Sequence, residues 1–285
     1  MSHAAPDLRG FTLLPVRRPL TALSAAAAVL ASLLVGASPA DAGTGCVPAP
    51  VAHRGDSARA PENTMPAYRK ALRLGVWRLE TDVRFTSNDV PVLMHDPTVG
   101  RTTNGRGQIA ALTLTQVRSL DAGSWFSKRY AGVKVPTLFE LLDYGRTRGA
   151  YFMLELKTRP TAQQMDNFLN RLRWLGMLNR VQVTSFDEQT LLDVQAAQPG
   201  LRTAIIDNPR YRAPDSVLQY GRTYVVNHSS VTEERAAQWR SAGIEIRPWT
   251  VDSWRVWRRM AWDDAGPVIT NRPRDYLAWA RVFCS

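Results

Sequence analysis

Two histidines, His53 and His95, flank a Glu80-x-Asp82 pair, and a Glu155-x-Lys157 pair follows on a later apolar run. Two imidazoles in one site supply a general base and a general acid, because an ordinary imidazole pKa of about 6.5 leaves either form available near neutrality. The spacing does not say which histidine takes which part. Glu80, Asp82 and Glu155 are three carboxylates with no cysteine among them, an oxygen-only donor set that suits Ca²⁺ or Mg²⁺ better than zinc. The competing reading makes them salt-bridge partners of Arg54 and Lys157 with no metal. Arg54 by its planar fork, and Lys157 as a point charge, can hold phosphate oxygens and offset negative charge growing in a five-coordinate transition state.

Such a constellation needs elements that bring distant residues to one place. Residues i and i+2 of a strand share a face, so Glu80 and Asp82 project together, as do Glu155 and Lys157. Runs of strand type occur at 51–53, 76–83, 151–156, 181–184, 203–206, 223–226, 244–249 and 267–270, alternating with helical patterns such as 63–74, 137–147, 162–175, 188–197 and 232–242. Eight strands with helices between them predict a (β/α)₈ TIM barrel, whose active site forms at the carboxyl ends of the strands, where both pairs and His53-Arg54 fall. A further strand-like run, 91–95, follows 84–90, a link too short for a helical crossover, and is read as a hairpin turned by Ser87-Asn88-Asp89. The stretch 97–135 is rich in Gly, Thr and Ser, carries Trp125, Phe126 and Tyr130, and is read as a short capping insertion after His95-Asp96.

The order VAHRG (51–55), PENT (61–64), ETD (80–82) and PVLMHD (91–96) resembles the glycerophosphodiester phosphodiesterase family. RTTNGRG (101–107), VPTLFELL (135–142), LELK (154–157), TSFD (184–187), PWTVD (248–252) and ITNRP (269–273) continue the likeness, and only about the first 50 residues fall outside it. The resemblance implies a TIM barrel of the phosphatidylinositol-phospholipase-C-like superfamily with an insertion at 97–135. It implies one divalent metal on Glu80, Asp82 and Glu155, and hydrolysis of a small phosphodiester to sn-glycerol 3-phosphate and an alcohol. The attacking oxygen is left open between a water and the glycerol 2-hydroxyl. Trp249 is read as a wall against the glycerol or as core. Asp96 orients a neighbour or caps a turn, Glu62 favours a helix dipole or joins the site, and Gly55 lets the backbone pass close to the ligand. His228 stands at another strand end. Two positions depart from the family pattern: Asn271 stands where aspartate is common, and Arg78 where a small-Asp-Gly run is usual. Both are expected to lie away from the acid, base and metal set and to bear on substrate preference.

Ahead of the likeness, Arg17-Arg18 precede an apolar run at 19–36, and Ala40-Asp41-Ala42 forms a small-x-small site, so residues 1–42 are read as an export signal and 43–285 as one domain. His3 leaves with the leader. The apolar run is short and lacks a basic stop-transfer cluster, so the mature chain is expected to have no transmembrane segment. The twin arginines point to the Tat route, but Pro19-Leu20 is a poor continuation, which leaves Sec open. Cleavage would leave 33 basic and 23 acidic side chains, a charge of +10 that favours anionic partners, including lipid headgroups or wall polymers. The arginines are scattered, with no helix-turn-helix or RNP-like pattern, which argues against nucleic acid. The two cysteines, Cys46 and Cys284, stand at opposite ends of the mature chain. The last helix of such a barrel packs beside the first strand, so a disulfide is expected, and Gly43 stands where a lipoprotein signal needs leucine. Two rival functions are carried forward: a lysophospholipase D, which needs an apolar groove near Trp125, Phe126 and Tyr130, and a non-catalytic binder of anionic wall polymers.

Overall fold

Eight parallel strands form a nearly closed barrel in the computed structural model, which describes Met1, residues 46–208 and residues 210–285. Apart from Met1, the leader read over 1–42, with His3, lies outside the described residues. The strands are β1 (Val51–Ala52), β2 (Arg78–Phe85), β3 (Pro91–Leu93), β4 (Tyr151–Leu156), β5 (Val181–Ser185), β6 (Arg202–Asp207), β7 (Thr223–Asn227), β8 (Glu245–Trp249) and β9 (Ile269–Thr270). Their order is β8-β7-β6-β5-β4-β2-β1-β9, and just past β8 the Val251 N–H donates to the Ile269 carbonyl at 2.9 Å across the remaining gap. β3 pairs antiparallel with β2, Val83 opposite Leu93, across a link of five residues, 86–90, too short for a helical crossover.

The helices are α1 (Met65–Arg73), α2 (Leu114–Ser119), α3 (Leu138–Arg146), α4 (Ala162–Trp174), α5 (Glu188–Ala197), α6 (Pro214–Leu218), α7 (Glu233–Ser241), α8 (Trp254–Trp262) and α9 (Pro273–Phe283). Local chemistry starts them. Thr113 with Gln116, Thr137 with Glu140 and Thr161 with Gln164 close capping boxes on α2, α3 and α4, each satisfying two backbone groups that the first turn leaves unpaired. Proline occupies the first turn of α1, α6 and α9, where no amide donor is needed.

The pleat divides the side chains. Leu79, Val83 and Phe85 of β2 and Phe152, Leu154 and Leu156 of β4 join the large core between strands and helices. A smaller cluster, Val51, Met153, Ala204, Ile206, Val225 and Ile269 with Trp249, fills the barrel. The inner face of β2 therefore reads Arg78, Glu80, Asp82 and that of β4 reads Tyr151, Met153, Glu155, which sets carboxylates at the carboxyl end and an arginine at the other. The insertion builds its own core from Val99, Ile109, Val117, Ala122 and Val135 against Val92 and Met94. Its aromatic residues Trp125, Phe126 and Tyr130 stack edge to face, and the Tyr130 hydroxyl donates to the Arg59 carbonyl at 2.7 Å.

Among the described residues no helix is long and apolar enough to cross a membrane. Cys46 and Cys284 form a disulfide with their Cα atoms 5.7 Å apart, and the Tyr276 hydroxyl of α9 donates to the Pro48 carbonyl at 2.8 Å beside it. The bond closes a span of 238 residues, so Cys284→Ser is expected to lower unfolding free energy by about 2 to 5 kcal/mol. Urea titration measures this, and two reactive thiols in the unfolded, unreduced wild type would rule the bond out.

Candidate active site

β2 and β4 are in register with Asp82 opposite Glu155, and this pairing gathers the carboxylates. Ligand oxygens of Glu80, Asp82 and Glu155 all lie within 4.8 Å of one another, and the residues are only 5, 0 and 9 % exposed. Like charges this close and this dry oppose one another. Burial and then Asp82 push Glu80 well above the usual carboxylate range, and the same two causes push Glu155 up to about 7 despite Lys157. Burial works on Asp82 in the same sense, but Arg54 and Lys157 prevail and bring it down to about 2. Asp82 Oδ2 accepts from Asn63 Nδ2 at 2.7 Å and lies 3.0 Å from Arg54 Nε, a charge contact rather than an aligned hydrogen bond. Asp82 Oδ1 is buried with no hydrogen-bond partner, and Lys157 Nζ is 3.6 Å away. Lys157 itself leans on Glu155 Oε1 at 2.5 Å. The ion pairs of the metal-free reading are thus present, yet they leave three clustered carboxylates and one orphaned oxygen, a donor set that fits a hard divalent cation.

His53 follows β1, and its backbone N–H donates to the Thr270 carbonyl of β9 at 3.0 Å. Its Nδ1 lies 2.7 Å from Asn271 Oδ1, so the expectation that Asn271 stands apart from the two histidines is corrected: it touches the His53 ring. Asn271 Nδ2 donates to Asp252 Oδ2 at 2.7 Å, which orients the amide with its oxygen toward the ring, and the Ser57 hydroxyl donates to the same oxygen at 2.8 Å. An acceptor-only oxygen fixes the proton on Nδ1 and leaves the Nε2 lone pair 3.8 Å from Glu80 Oε2. Burial, then Arg54, hold the imidazole down to about 4, so it is uncharged at neutral pH. Asn271→Ala removes that acceptor and strips Asp252 of a donor; kcat is expected to fall about 10- to 100-fold, the equivalent of one or two hydrogen bonds to buried groups, with KM changed less than threefold. Steady-state kinetics decide this, and an unchanged kcat would deny Asn271 a positioning role.

The β2–β3 hairpin delivers His95. Met94 N–H donates to the Asp82 carbonyl at 3.1 Å and Arg84 Nε to the His95 carbonyl at 2.9 Å. His95 Nδ1 lies 2.7 Å from Asp96 Oδ1, so Asp96 does orient a neighbour. Burial lowers the His95 pKa, with Asp82 and the Asp96 hydrogen bond opposing. Arg101, from the insertion, reaches Asp96 Oδ2 at 2.6 Å and Glu62 Oε1 at 2.8 Å, and with His95 holds the Asp96 carboxyl well below its ordinary range. Glu62 also accepts from Arg54 Nη1 at 3.0 Å and is outside the carboxylate cluster, so it braces two arginines. Gly55 serves α1 rather than a ligand: at φ 87°, a Cβ there would sit 2.6 Å from the Ala67 carbonyl carbon.

His53, Arg54, Glu80, His95, Glu155 and Lys157 line a cavity of about 300 Å³ at the carboxyl ends of the strands. Met153, Phe186, Ile206, Val225, Trp249 and Ile269 add apolar surface to the same cavity. Trp249 is a wall of this cavity, packed edge to face on Phe186 at 5.7 Å, and its indole N–H is buried without a partner. Trp125, Phe126 and Tyr130 are not in the lining of this cavity. His228 packs on Arg259, with Nδ1 3.2 Å from Nη2, outside the lining. Sequence reading missed Ser57, Asn63, Arg101, Phe186 and Asp252. Ser57, Phe186 and Asp252 stand just beyond strand ends, and Asn63, at φ 55°, stands just before α1. That shared position was the signal available.

Residues 53–275 match the Glycerophosphoryl diester phosphodiesterase family. A glycerophosphodiester phosphodiesterase of Bacillus subtilis is 32% identical over 245 residues, covering 78% of this chain and 83% of that protein. One from Caldanaerobacter subterraneus subsp. tengcongensis is 29% identical over 235 residues, covering 81% and 97%. The crystal structure of a glycerophosphodiester phosphodiesterase from Agrobacterium tumefaciens superposes with a TM-score of 0.71 at 30% identity, covering 80% of this chain and 98% of that one. With its barrel, its paired histidines and its carboxylate cluster, the chain is an enzyme of the glycerophosphoryl diester phosphodiesterase family.

Proposed function

We propose that this enzyme is exported and hydrolyses water-soluble glycerophosphodiesters to sn-glycerol 3-phosphate and an alcohol such as choline, ethanolamine, glycerol or inositol, using a divalent cation held by Glu80, Asp82 and Glu155. The observation that carries the reading is one cavity lined by two histidines, two of the clustered carboxylates, Arg54 and Lys157. When bound, the cation supplies positive charge against the non-bridging phosphate oxygens. Arg54 is held by Asp82 and Glu62, and the charges of Asp82, Glu80 and Glu62 outweigh burial to raise its pKa, so it remains a fixed cation facing the phosphate. Lys157 adds a second.

His53 takes the proton from the attacking oxygen, a water or the glycerol 2-hydroxyl, because its Nδ1 proton is committed to Asn271 and its Nε2 lone pair is free. His95 gives a proton to the leaving alkoxide, because Asp96 beside its Nδ1 supports the charged ring. Trp249 and Phe186 offer an apolar wall to the glycerol or headgroup carbons, and the unpaired indole N–H a donor to a hydroxyl. Export is supported by the leader pattern at 1–42 and by the disulfide, which persists in an oxidising compartment.

Competition separates this reading from the lysolipid one. With glycerophosphocholine and detergent-dispersed lysophosphatidylcholine at equal concentration, the diester is expected to be consumed at least tenfold faster. Preference for the lysolipid would move the substrate assignment.

A further inference from the structure

We propose that the amino-terminal mouth of the barrel, opposite the catalytic end, is a second binding site that takes one phosphate-sized oxyanion among Arg78, Arg180, Arg202 and Arg247. These four arginines, with Gln182 and Glu245, line a cavity of about 120 Å³, room for a single small anion and too little for a nucleotide. The layers inside a barrel are ordinarily bulky and apolar. Here Val51, Met153, Ala204, Val225 and Ile269 make such a layer, and the position below it on the inner faces of β2, β6 and β8 is arginine. Met153 lines both cavities, so the two sites stand back to back with that layer between them.

Among the described residues the one carboxylate of the lining is Glu245, and both its oxygens face Arg247, at 3.1 Å from Nε and Nη2. Arg247 Nη1 donates to Gln182 Oε1 at 2.7 Å. Arg180 and Arg202 donate to backbone carbonyls, those of Arg146 at 3.0 Å and Asn179 at 2.7 Å, which position a guanidinium without neutralising it. Burial first, then the charges of Arg247 and Arg78, lower the pKa of Arg202 against Tyr151 and Glu245, so the cations disfavour one another. A tetrahedral oxyanion removes that repulsion and meets the guanidinium forks in their preferred paired geometry. Arg78, which departs from the family pattern, belongs to this cluster. The proposal uses none of the catalytic residues and stands whether or not the hydrolytic reading holds.

The test is calorimetric titration of inorganic phosphate into the mature chain in EDTA and low salt, against the Arg180→Gln/Arg202→Gln double variant. Phosphate affinity is expected to fall at least tenfold in the double variant, with Arg202→Lys intermediate because it keeps the charge and loses the fork. Glycerol 3-phosphate, titrated in the presence of Mg²⁺ or Ca²⁺, reports the catalytic cavity and is expected to bind wild type and double variant within twofold. Turnover of glycerophosphocholine in phosphate-free buffer should also agree within twofold, which shows that the variant folds. Absence of phosphate binding in wild type, or equal affinity in wild type and the double variant, overturns the site. A parallel loss of both ligands would trace the effect to a disturbed barrel, and Arg202→Lys alone then decides: weakened phosphate binding with glycerol 3-phosphate binding kept supports the site, and phosphate affinity equal to wild type overturns it.

Discussion

His95→Ala is expected to lower kcat on glycerophosphocholine about 10²- to 10⁴-fold, the usual contribution of a general acid, and to recover most of that loss on a glycerophosphodiester with a p-nitrophenyl leaving group. A p-nitrophenolate departs without a proton, so an enzyme lacking only its acid has little left to lose. His53→Ala should fall by a similar factor on both substrates, because the attacking oxygen must shed its proton whatever leaves. The asymmetry follows from the two Nδ1 partners: an amide oxygen that only accepts, on Asn271, against a carboxylate on Asp96. Both variants should retain the wild-type fold by circular dichroism, since neither ring joins the hydrophobic clusters. Equal recovery of both variants on the activated substrate would reverse or erase the assignment. Near-normal turnover of either on the natural diester would remove that histidine from the mechanism.

Glu80→Gln combined with Asp82→Asn is expected to abolish stabilisation by divalent cations together with turnover. A cation that binds only the folded chain stabilises it by roughly 2.7 kcal/mol at a hundredfold excess over its dissociation constant. The unfolding midpoint of wild type should therefore rise on adding Ca²⁺ or Mg²⁺ to chelator-treated protein, and that of the double variant should not. The donor set argues for this directly, through three carboxylates within 4.8 Å and the orphaned Asp82 Oδ1. An equal rise in both proteins would place the cation elsewhere, and no rise in wild type would return the cluster to ion pairs with Arg54 and Lys157.

The barrel was legible because its signals are local. Strand-type and helix-type apolar periods alternate along 51–270, and the stretch 84–90 read between two strand-type runs is too short for a helical crossover, so the β2–β3 pairing is antiparallel. The period of two placed Glu80 with Asp82 before any coordinate did, and the barrel reading, with its last helix beside its first strand, placed the termini close enough for Cys46 and Cys284. What escaped is carried by long-range side-chain pairing, which no period encodes. Asn271 meets His53 across 218 positions, and its role turns on which way an amide faces, set by Asp252 on a different loop. Arg101 looked like part of a Gly- and Thr-rich cover, but it spans 39 positions to brace Glu62. Trp125, Phe126 and Tyr130 invited a substrate groove and instead pack with one another and hold Arg59, and Gly55 makes room for a helix. Arg78 read as an isolated departure until the barrel register brought it beside Arg202 and Arg247.

Release of glycerol 3-phosphate from glycerophosphocholine by the purified protein, before EDTA, after EDTA, and after readdition of Ca²⁺ or Mg²⁺, tests the central claim in one assay. The expected result is release that EDTA abolishes and one of the two cations restores. Release that persists through thorough chelation would contradict the carboxylate site, and no release with either cation would contradict the substrate.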